Sequence, residues 1–130
     1  MINREFGQYL KELRIKNGKT QDDIAKFIGK SKMLISGVET AKNNAFCEND
    51  LEKIIWHLNL SDDEAVKLIR LSSKVRNELP SDVTGYLCDS QKAFDFVTLI
   101  TKWKFSENQL QQIIKICEEI YKGDNKCIKP

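Results

Sequence analysis

Residues 20–39, TQDDIAKFIGKSKMLISGVE, decide the fold. Thr20 precedes Ile24, Ala25 and Ile28, apolar positions at helical spacing, and predicts the N-cap of a helix over about 21–28. Gly29 closes that helix, because glycine takes a left-handed backbone angle that a side chain resists. Ser31 caps a second helix running to about Thr40, with Leu34, Ile35 and Val38 available for burial. The connection over residues 29–31 is so short that the two helices must cross steeply. Ala25 is small where they touch, and burial of Ile35 and Val38 leaves the opposite face of the second helix free.

Outward from this segment the chain is helix after helix. On the N-terminal side, Phe6, Leu10 and Leu13 mark one face of a helix over about 3–17 that stops at Asn17-Gly18. On the C-terminal side, Lys42-Asn43-Asn44 is a loop, and Leu51, Ile54, Ile55 and Leu58 define a fourth helix. Ser61 with Glu64 reads as a capping box for a fifth, which carries Ala65, Leu68, Ile69 and Val75 and ends before Leu79-Pro80. Beyond that hinge, Ser81 caps a short helix through Leu87, and Ser90 one over about 91–103 that carries Phe94, Val97 and Ile100. Ser106 with Gln109 opens a last helix bearing the stripe Leu110, Ile113, Ile114, Cys117, Ile120 and Tyr121. This stripe suits packing within the chain or the seam of a dimer or partner interface. The organisation expected is a head over 1–78, a helical dimerisation or partner-binding region over 79–122, and a flexible tail over 123–130.

Composition supports an all-α fold and narrows the function. Two prolines and six glycines in 130 residues leave few breakers, and 41% hydrophobic with 31% charged residues is ordinary for a globular chain. No apolar run approaches the roughly 20 residues that span a bilayer. The N-terminal MINREFGQYL lacks the apolar continuity of a signal peptide, so a cytoplasmic location is expected. The net charge of +2 hides an asymmetry: residues 1–45 hold nine basic against five acidic residues, and the remainder is mildly acidic. A basic head on an acidic body fits nucleic-acid binding by the head.

Catalysis and metal binding find no support in the residues. Cys47, Cys88, Cys117 and Cys127 are scattered, with no CxxC pair to hold zinc or frame a disulfide, and read as reduced thiols. His57 is the single histidine and reads as a partly exposed helical residue. The acidic pairs Asp22-Asp23 and Asp62-Asp63 fall at helix starts, where they offset the helix dipole, and Glu118-Glu119 falls on a solvated face. Nucleotide-binding and nucleophile-elbow motifs are missing. The expectation is a protein that is not an enzyme and carries neither cofactor nor metal.

The segment resembles the helix-turn-helix of the XRE family, the lambdoid phage repressor and Cro type. The resemblance rests on Gln21 opening the first motif helix, on Ala25, Gly29, Ile35 and Val38, and on Glu39 near the end of the second helix. LRIKNGKTQ before the motif also fits the group. It covers residues 5–60 and implies a five-helix Cro/repressor-like domain followed by a helical C-terminal tail. It implies that the helix over about 31–40 enters the DNA major groove. Lys32, Met33 and Ser36 would then lie at base edges, with Gly37 facing the same way. Lys32 is suited to guanine O6 and N7, and Met33 to a thymine methyl. Gln21 and Ser31 would meet phosphates, flanked by Lys19, Lys30, Lys42 and Asn43 as backbone clamps. Any one of these lysines taken alone reads as solvated. Three departures stand out: Gly37 sits where many relatives carry a long polar side chain and cannot read a base, Ala41 replaces the usual glycine after the second helix, and Ala45-Phe46-Cys47 replaces the common proline. Further on, LPSDVTGYL is similar to a stretch found after the motif in some XRE regulators of phages and integrating elements.

Two functions are therefore expected in competition. One is a dimeric transcriptional repressor reading a near-palindromic operator in double-stranded DNA. The other is an antitoxin or inhibitor whose helical tail binds a partner protein, with DNA binding secondary.

Overall fold

The computed structural model describes residues 4–128, with side chains as far as residue 123. Eight helices and no strand are present among the described residues. They fall into two compact units, Met1–Val83 and Thr84–Pro130.

The first unit contains α1 (Glu5–Lys16), α2 (Gln21–Ile28), α3 (Lys32–Glu39), α4 (Glu48–Leu58) and α5 (Asp62–Arg76). Their apolar faces meet in one core. Phe6, Leu10 and Leu13 come from α1, Ile24, Ala25 and Ile28 from α2, and Ile35 and Val38 from α3. Leu51, Ile54 and Leu58 of α4, Leu68 and Leu71 of α5, and Ala45 and Phe46 of the α3–α4 loop complete it. Phe6 and Phe46 meet edge to face, with ring centroids 6.0 Å apart. Leu34, Ile55, Ile69 and Val75, expected to be buried, pack half-buried on its margin. The capping box expected of Ser61 with Glu64 on α5 forms, and Thr20, expected as a simple cap of α2, makes a second one with Asp23. Asn59 and Asn77 close α4 and α5 with left-handed backbone, a role that asparagine tolerates better than most residues.

Gly7 sets the distance between α1 and α3. A Cβ on Gly7 would run into the carbonyl oxygens of Val38 and Glu39, so the two backbones approach as closely as they do only because the side chain is missing. α5 in turn grips the α3–α4 loop: Ser72 Oγ donates to the carbonyl of Phe46 at 3.1 Å, and Arg76 Nη1 to that of Ala45 at 2.9 Å. The unit reaches Val83, past the hinge read at Leu79-Pro80. One reason is local: the Ser81 amide, opening α6 (Ser81–Asp89), donates to Glu48 Oε1 at 3.1 Å.

The second unit holds the rest of α6, α7 (Gln91–Trp103) and α8 (Glu107–Ile128). Ser90 caps α7, and Ser106 and Gln109 form the reciprocal pair expected at the start of α8. The last helix does not end near residue 122: it continues through Gly123 to Ile128. A single interior glycine costs about 1 kcal/mol relative to alanine, too little to end a helix by itself. Of the tail read as flexible, residues 129 and 130 lie outside the described residues, as does the Cys127 side chain.

Candidate nucleic-acid interface

The two helices of the segment 20–39 are fixed by reciprocal capping and one tight turn. Thr20 Oγ1 accepts from the Asp23 amide at 3.0 Å, and Asp23 Oδ2 accepts from the Thr20 amide at 2.8 Å. The hydrogen bond from the Thr20 amide, helped by the Thr20 hydroxyl, lowers the Asp23 pKa from its usual 3.8. Gly29, at φ 67°, turns the chain, and the Lys30 amide returns to the Ala25 carbonyl at 2.9 Å. Ser31 Oγ then accepts from the Leu34 amide at 3.2 Å and starts α3. Of the residues assigned to the motif's framework, Ala25, Ile35 and Val38 are buried, and Gly29 is in the left-handed region.

With Ile35 and Val38 inside, α3 turns Lys32, Met33 and part of Ser36 outward. Met33 is 82% exposed, an unusual position for a long apolar side chain and one available to a partner surface. Ser31 and Lys30 are exposed beside them, and Lys42 and Asn43 lie exposed on the following loop. Lys19 is half-buried, with its carbonyl taken by Arg14.

Gly37 does not share the outward face. It is buried, the amides of Lys42 and Asn43 both donate to its carbonyl, and the Asn43 side chain lies against its Cα, where a Cβ would collide. Position 37 lies about one turn on from Met33, and it is the returning loop that covers it. Gly37 therefore seats the loop that carries Lys42 and Asn43.

A second arrangement was not legible in the sequence. Arg14 Nε donates to Glu39 Oε2 at 2.8 Å and Nη2 to Oε1 at 3.1 Å, while Nη1 reaches the Lys19 carbonyl at 3.0 Å. Gln21 Nε2 donates to the same Glu39 Oε1 at 3.0 Å. One buried carboxylate thus braces α1, α2 and α3 together. Gln21, read as a phosphate contact, spends one of its two amide hydrogens inside this brace. The signal available beforehand was Glu39 on the otherwise apolar inner side of α3, which demanded a cationic partner.

Residues 5–68 match the family model described as a helix-turn-helix domain. Over this segment the chain is similar to that domain family. No curated protein matches the chain at a significant level. The helix-turn-helix domain is a DNA-binding type of module, and the match takes in α1 to the middle of α5.

Other features noted in the sequence fall outside this surface. His57 is exposed and stacks on Phe27, ring centroids 4.3 Å apart and nearly parallel. Cys47, Cys88 and Cys117 are free and exposed, and among the described residues no group of His, Cys, Asp or Glu could hold a metal ion. No described helix is long and apolar enough to cross a membrane. On α8, Leu110 and Ile113 are half-buried, whereas Ile114, Cys117, Ile120 and Tyr121 are exposed.

Proposed function

We propose that the chain is a sequence-specific transcriptional regulator of XRE type, a cytoplasmic dimeric repressor that binds a near-palindromic operator through α3. The observation that carries this reading is the division of α3: Ile35 and Val38 are inside, while Lys32, Met33 and Ser36 lie on the other side of a helix that a capped turn holds fixed. In this reading Lys32 donates to guanine, Met33 meets a thymine methyl, and Ser36 contacts a neighbouring base. Ser31, the second amide hydrogen of Gln21, and Lys19, Lys30, Lys42 and Asn43 hold the backbone phosphates. First-turn amides of α2 and α3 not consumed by the caps add to this anion site.

A lone domain of this size reads a short half-site, so specificity calls for two copies about one helical turn apart. The apolar side chains left exposed on α7 and α8, Phe94, Trp103, Ile114 and Tyr121 among them, support a second copy as what they cover. The same observation favours a second reading, an antitoxin-like protein whose tail masks another protein.

The test is selection of randomised duplex DNA at near-physiological salt, with Lys32→Ala in parallel. The expected result is an enriched near-palindrome, with the variant losing about 1 to 3 kcal/mol on that site and far less on random DNA. Equal losses on both would make Lys32 a phosphate clamp. No enrichment by the parent protein would transfer support to the partner-protein reading.

A further inference from the structure

The basic side chains in the C-terminal two thirds of α5 have no part in the motif. From Val66 to Arg76 the helix carries Lys67, Arg70, Lys74 and Arg76 and no acidic residue. Arg76 is committed to the Ala45 carbonyl and lies 3.6 Å from Glu78. The other three, at spacings of three and four residues, are exposed and line one groove with Glu5, Asp63 and Leu71. Lys74 also lines a second groove, formed with Lys42, Asn43 and Asn44 of the α3–α4 loop. Lys74 is thus shared by the two grooves, with Lys42 lining one and Arg70 and Lys67 the other.

We infer that this stripe on α5 is an additional DNA-backbone track, extending the phosphate contacts of the α3–α4 loop beyond the bases read by α3. The inference rests on the DNA-binding reading above. Seven helical residues rise about 10 Å, and one DNA strand presents a phosphate about every 3.4 Å along the axis, so three cations span about three phosphates. The competing carboxylates are few. Glu5 lies 3.6 Å from Lys74 with both side chains largely exposed, and such a pair contributes little in water and yields to a phosphate. Among the described residues Arg70 makes no ion pair, and Asp63 is the one other acid lining the groove. The Lys67 ammonium sits 4.4 Å from the centre of the Tyr9 ring, which holds it on this face without neutralising it.

The experiment compares the parent protein with a Lys67→Gln, Arg70→Gln, Lys74→Gln variant on a selected duplex, measuring the binding constant against salt. Each lost phosphate contact lowers the slope of log K against log salt by about 0.9, so the triple variant should be shallower by about 2 to 3. It should enrich the same sequence as the parent, because a backbone track carries no base information. An unchanged slope, with the parent binding duplex normally, overturns the track and leaves the regulator reading intact. A parent that binds no duplex overturns both. Thermal melting of each variant is measured alongside, and if the triple variant is unfolded, Arg70→Gln alone must lower the slope by about 0.9 for the inference to stand.

Discussion

Ala41 holds a backbone angle of φ 63°, in the left-handed region that alanine avoids. The geometry gives the reason that glycine would suit this position: the chain reverses so that the Lys42 and Asn43 amides reach the Gly37 carbonyl. A left-handed alanine costs about 1 to 2 kcal/mol, and a glycine would return about 0.5 to 1 of that as extra freedom in the unfolded chain. Ala41→Gly is therefore expected to stabilise the domain by about 0.5 to 1 kcal/mol, read as an increase in the denaturant midpoint at unchanged slope. The buried carboxylate of Glu39 makes the opposite case. Arg14→Ala leaves it with Gln21 as its side-chain donor, and loss of one member of such a pair costs about 3 kcal/mol. Chemical denaturation of that variant checks the figure. A loss under about 1 kcal/mol would mean that Gln21 and water suffice.

At the scale of elements, what the sequence made legible was what repeats along a helix. The apolar spacings and the serine and threonine caps place α2, α5 and α7 to within a residue or two, and five of the core positions on α1 and α2, Phe6, Leu10, Leu13, Ile24 and Ile28, follow from period alone. What stayed hidden depends on residues far apart in the chain. Ser72 is buried where α5 crosses the loop holding Phe46, a contact with no local signature. The brace from Arg14 through Glu39 to Gln21, and the seating of Asn43 on Gly37, likewise join segments that the sequence keeps apart. The caps carry a pH signature of their own. The Glu64 carboxyl is held below its usual 4.5, first by the hydrogen bond from Lys16 and then by the Ser61 amide, and Asp23 is lowered from 3.8 by Thr20. A lowered folded-state pKa contributes stability that is fully present above the unfolded value and is lost as pH falls through the folded one. The melting temperature should therefore hold down to about pH 4.5 and then decline, with part of the decline missing in Glu64→Gln. A profile in Glu64→Gln identical to the parent's would remove this cap from the account.

For the whole molecule, the two units differ in what they bury. The first has a continuous core, whereas among the described side chains of residues 84–123 none is buried. Ordering a residue costs about 1 to 2 kcal/mol of conformational entropy, and units of about 40 residues rarely recover it without a staple or a partner. The exposed Phe96, Leu99 and Trp103 on α7, and Ile114, Ile120 and Tyr121 on α8, are the surface from which a partner would supply the missing burial. If that partner is a second copy, the folding of α7 and α8 is tied to association and must respond to protein concentration by mass action. Circular dichroism melts over a hundredfold range of concentration should then show a helical transition that rises with concentration, beside one from the head that does not move. Ile114 and Ile120 are 48% and 57% exposed and lie outside the core cluster, so replacing both with Asp leaves the core of the head untouched. The double variant is thus expected to sediment as a monomer with the head's transition intact, and to bind a single half-site more weakly than the parent binds the full operator. A variant that stays dimeric would move the seam off this face of α8, and a parent that is monomeric at every concentration would favour a different protein as the tail's partner.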